Sequence, residues 1–319
     1  MEEKYFKERQ EKFEELFKEN SEERINQKIS LRKSKKNEIL MSKRAKVLSS
    51  KIPSIFEPQI NKQNLSPKVL NLFEKEKKSA LEENIEVTIL NYFNHLENIS
   101  INNFDDTFFI LDRLLFVFSS MDDDKLYKVI DYSSLVYKLF DLFDMFTYVN
   151  KIHMYQTFKI LVNISMRKNK ELMNKLINQF TIKYIYNFLD DLFQEPDNNS
   201  ELICQILLFL MNLIEDNTLI QYIYYKYKIF DLLYEFILKK KDTTDLKERN
   251  INHHIITFFS LFIFVIFDPN ETLYINHKEE IITKLYNLFE YFLTHNYENK
   301  ELLLDDVWGL STILIQLNE

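Results

Sequence analysis

From Lys68 onward, runs of Leu, Ile, Phe and Tyr alternate with short polar breaks: SMDDDK, MRKNKE, QEPDNNSE, KKKDTTDLKERN, DPNET and HNYENKE. Apolar residues recur three and four positions apart within the runs, which predicts helices. No stretch alternates strictly with a period of two between turn residues, so no strand is predicted. The helices are apolar on more than one face, as elements stacked between neighbours must be.

Four long apolar segments precede a terminal fifth: TFFILDRLLFVFSS, YQTFKILVNISM, ELICQILLFLMNLIED, HHIITFFSLFIFVIFD and then LLLDDVWGLSTILIQL. Lys159–Ile164 aligns on Leu208–Leu213, which sets Asn163 and Asn212 49 positions apart. Trp308–Ile313 aligns on the same words, with Thr312 standing 100 positions after Asn212. The first and fourth segments fill the remaining slots, near Phe116 and Phe262. Between the long segments lie weaker amphipathic stretches: LVYKLFDLF, IYNFLDDLF, FDLLYEFIL and LYNLFEYFL. Each unit therefore reads as one or two shorter helices followed by a long buried one. A period near fifty falls in the size class of armadillo and HEAT repeats. The expected fold is all-α: a right-handed armadillo/HEAT-like solenoid of about five repeats over residues 68–319.

The chain before it is different. Residues 1–23 are dense in Glu and Lys, with Phe13, Leu16 and Phe17 at helical spacing; such a helix is marginal alone. Arg24 to Lys51 holds ten basic residues against one acid, Glu38, with no Gly or Pro. That window is +9, so with −8 overall the remainder carries −17. Residues 52–67, IPSIFEPQINKQNLSP, hold three of the five prolines and read as a flexible linker. The division is thus a basic helical arm over 1–51, a linker over 52–67 and a helical body over 68–319. Charge alone leaves the arm open to a polyanion, to an acidic protein, to its own acidic body or to water.

Composition narrows the chemistry. A single Gly in 319 residues argues against Rossmann and P-loop sites, nucleophile elbows and primed hairpin turns, all of which need positive φ. A single Cys, Cys204, excludes a disulfide scaffold and a zinc site of paired cysteines, and it reads as a buried inert thiol. His253 and His254 are adjacent and so point to different sides of a helix, away from metal-ligand spacing. The charged start shows no signal peptide, and the most apolar run, Ile255–Phe267, is short for a bilayer span. No catalytic constellation is present. The expectation is a non-enzymatic protein without cofactor, metal or membrane insertion.

Leu31–Val47 reads L-R-K-S-K-K-N-E-I-L-M-S-K-R-A-K-V. It resembles the importin-β-binding segment of the importin-α family, which has the form L-R-K-x-K-R-x-E-x-L-L-K-R-R. The order of basic segment, linker and helical repeats is that family's order too. Its repeat signature, W-x-x-x-N, is similar to what stands here in worn form. Asn163 and Asn212 occupy the Asn position, with Lys159 and Leu208 where Trp is expected; Trp308 occupies the Trp position.

The resemblance implies a nuclear-import adaptor that shuttles between cytoplasm and nucleus. Importin-β would be bound through Arg24, Lys28, Arg32, Lys33, Lys35, Lys36, Lys43 and Arg44, with Leu31, Leu40 and Met41 as apolar contacts. Cargo bearing a nuclear localisation signal would lie in a concave groove lined by Asn163, Asn212, Asp305, Asp306 and Trp308. Read from the residues alone, the two Asn serve equally as buried polar contacts between stacked helices, and Trp308 as core. The alternative function is an importin-β-binding regulator or helical-repeat scaffold without classical cargo. Nucleic acid is disfavoured as a partner, because no aromatic residue lies between Arg24 and Lys51 to stack on bases.

Overall fold

A computed structural model describes residues 65–79, 85–98, 103–121, 151–166, 179–214, 222–239, 246–266 and 273–294, with single positions 124, 126, 128 and 139. All lie in the larger of two units into which the chain divides, Ser50–Glu319. The predicted arm, Arg24 to Arg44 included, lies outside the described residues, as do Asp305, Asp306 and Trp308.

Among the described residues every regular element is helical. We number them α1 (Pro67–Ser79), α2 (Ile85–Asn98), α3 (Phe104–Ser120), α4 (Lys151–Ser165), α5 (Gln179–Leu192), α6 (Pro196–Leu213), α7 (Ile229–Lys239), α8 (Leu246–Ile266) and α9 (Leu273–Thr294). A π-helical turn, Tyr222–Lys226, precedes α7. The absence of strands among these residues agrees with the missing two-residue alternation.

Helix starts follow local chemistry. Pro67, which has no N–H to satisfy, opens α1, and Ser66 Oγ accepts the Val69 N–H at 3.4 Å. Asn103 caps α3, its Oδ1 accepting the Asp106 N–H at 3.5 Å, and Asp105 and Asp106 place negative charge in the first turn. Asp106 also accepts the Ser66 N–H at 2.8 Å, fastening the start of α1 to the start of α3. Pro196 opens α6, and the Asn199 amide donates to the Glu195 and Leu192 carbonyls at 2.7 and 3.4 Å, closing the corner from α5. Lys228, just before α7, takes a left-handed φ of 49°, a conformation glycine would adopt without steric cost.

The long helices pack in chain order. The most extensive contacts are α3 on α4, α4 on α6 and α6 on α8. These four are the first four long apolar segments of the sequence. The shorter α5 lies against α6, and α7 lies against α8 and α9. Specific contacts repeat the sequence period: His153 with Phe104 is 49 positions apart, Asn212 with Val162 is 50, and Lys284 with Asp231 is 53. A helix lodged between two long neighbours has no solvent face. Every residue from His153 to Ser165 and from Leu202 to Leu213 is accordingly buried.

Phenylalanine fills the space between helices. Phe158 meets Phe188 and Phe209 at centroid separations of 6.4 and 6.2 Å, and Phe193 stacks on Phe236 at 4.1 Å. Phe230 lies 4.4 Å from Phe259 and 5.5 Å from Phe262. Large rings in offset and edge contacts supply much apolar area per helix turn.

Candidate functional site

Burial of α4 from His153 and of α6 from Leu202 takes polar side chains out of water with the apolar ones. On α4 these include Gln156, Lys159 and Asn163, three and then four positions apart and so on one face. On α6 the equivalents 49 positions later are Gln205, Leu208 and Asn212, all buried. The two helices pack directly, and Asn212 lies in the seam between them.

Asn212 ties the seam together. Its Nδ2 donates to Ser165 Oγ at 3.0 Å and reaches the Val162 carbonyl at 3.5 Å, while Ser165 Oγ donates to that carbonyl at 3.0 Å. The buried inter-helix contact is thus what Asn212 does in this structure. Asn163 lies one residue from Val162 and is 5% exposed. Of the five groove positions named from the sequence, the structure describes these two and brings them to the same helix pair.

Lys159 stands where the repeat signature has Trp. It is 6% exposed, with Nζ 5.6 Å from the Tyr155 ring centroid. Burial pulls its pKa below the ordinary lysine value, and Asp112 on α3 opposes that pull. Asp112 is pushed up by its own burial, opposed by Arg113 and Lys159. A buried lysine in the field of a carboxylate on the next helix is a different object from an aromatic slot for a ligand's lysine stem.

Sequence reasoning missed the glutamines. Gln156 is fully buried, and neither of its carboxamide atoms has a hydrogen-bond partner. Gln205 hydrogen-bonds the Tyr155 hydroxyl, whose pKa rises chiefly through burial, and its Oε1 has no partner. The signal was available, since Gln156 and Gln205 are separated by the same 49 positions as Asn163 and Asn212. On α8, 47 positions after Gln205, Asn252 is buried with an unpartnered Oδ1. A carboxamide offers a donor pair and an acceptor, matching a peptide group, and transfers no proton at neutral pH. In this structure these carboxamides are buried between the chain's own helices.

Two further polar clusters join helices. His153 on α4 lies against Phe104 at the start of α3, ring centroids 4.7 Å apart, with Nε2 3.3 Å from the Phe104 carbonyl. Burial depresses its pKa to about 4 and outweighs that contact. On α1 to α3, Glu76 receives Arg113 through two bonds of 3.1 and 2.5 Å and the Tyr92 hydroxyl at 2.6 Å. Among the described residues no group of three His, Cys, Asp or Glu could hold a metal ion, and no helix is long and apolar enough to cross a membrane.

No family model, curated protein or solved structure matches this chain.

Proposed function

We propose that this chain is a nuclear-import adaptor of the importin-α type, an armadillo-like right-handed solenoid of about five repeats behind an importin-β-binding arm. The observation that carries the reading is the fifty-residue register. The helices α3, α4, α6 and α8 lie side by side in chain order, behind a segment, Leu31–Val47, that resembles the importin-β-binding form. A stack with this period is a platform for extended polypeptide, and a +9 window over Arg24–Lys51 in a chain whose remainder is −17 suits recognition by an acidic receptor. Cytoplasm and nucleus are then its working compartments.

The test is capture on purified importin-β. The intact chain should be retained in dilute salt, and a variant with Lys35, Lys36, Lys43 and Arg44 changed to Ala should not. Failure of the intact chain to bind would overturn the reading.

One observation favours a second reading, a protein that engages importin-β without classical cargo. Lys159 is buried beside Asp112's field where a ligand's lysine would need an aromatic slot, and the Asn212 amide is committed to Ser165 and Val162. Titrating a lysine-rich nuclear-signal peptide into the preformed complex with importin-β separates the two. Saturable binding supports the adaptor, and its absence supports the second reading.

A further inference from the structure

We draw no further inference here: the strongest candidate, the exposed apolar side chains Leu70, Val87 and Phe116 on the first three helices, carries nothing because nothing in the structure shows what covers them.

Discussion

Single buried polar residues hold opposing energies. Gln156 gives up hydration of a whole carboxamide and receives no hydrogen bond in return, which costs about 1–3 kcal/mol. Gln156→Met keeps the length and removes the polar atoms. Urea unfolding of that variant should show a gain of about 1–2 kcal/mol; a loss would mean that the carboxamide is bonded after all. His153 adds a pH dependence of definite sign. Its pKa in the fold is about 4, below the ordinary 6.5, so the unfolded chain binds the proton more tightly. The neutral ring's contribution is whole above pH 6.5 and is lost as pH falls toward 4, by up to about 3 kcal/mol. Measured from pH 7 to 4, the wild type should lose stability relative to His153→Leu by that amount on acidification. Parallel curves would contradict the burial of an uncharged ring.

At the scale of elements, ion pairs fix which helix meets which. Glu76 on α1 is joined to Arg113 on α3 and to Tyr92 on α2, so one carboxylate gathers three helices. The Arg113 guanidinium also lies over the Phe73 and Phe116 rings, 5.3 and 4.5 Å from their centroids. Arg113→Met leaves a carboxylate with an 11%-exposed side chain facing Tyr92 without its cation. We expect a loss of about 3 kcal/mol in chemical unfolding, with Arg113→Met/Glu76→Leu recovering most of it. Independent, additive losses would show that the pair is not coupled. Lys284 on α9 does a similar task nearer the surface, bonding Asp231 of α7 at 2.6 Å and Glu280 at 2.7 Å. Burial works against its charge, and the two carboxylates more than offset it, so its pKa rises.

For the whole molecule, charge and core divide the labour. The cohesion of α3 to α8 rests on buried Leu, Ile and Phe, which salt does not screen. The proposed attachment to importin-β rests on a cationic arm, which salt does screen. Raising salt from about 50 to about 500 mM should therefore weaken capture on importin-β by more than about tenfold. Thermal unfolding of the chain, followed by circular dichroism, should shift only by a few degrees over the same range. Capture indifferent to salt would rule out the arm as the attachment.

Much of this organisation is legible in the order of residues. Helical periodicity, the missing glycines and the recurrence of Asn163 at Asn212 depend on that order and nothing else, because a helix buried along its length demands apolar side chains all round. The all-helical class follows from it, and so do the places of the four long helices, to within about two turns at their ends. The use of the polar positions is not legible in the same way. An Asn at a repeated position looks alike whether it faces a groove or a neighbouring helix, and only packing sent the Asn212 amide to Ser165 and Val162. The unsatisfied state of Gln156, the burial of Lys159 within Asp112's field and the gathering of three helices by Glu76 likewise depend on residues far apart in the chain. Distance through space decides whether a polar group meets water, a partner or neither, and tertiary structure alone sets that distance.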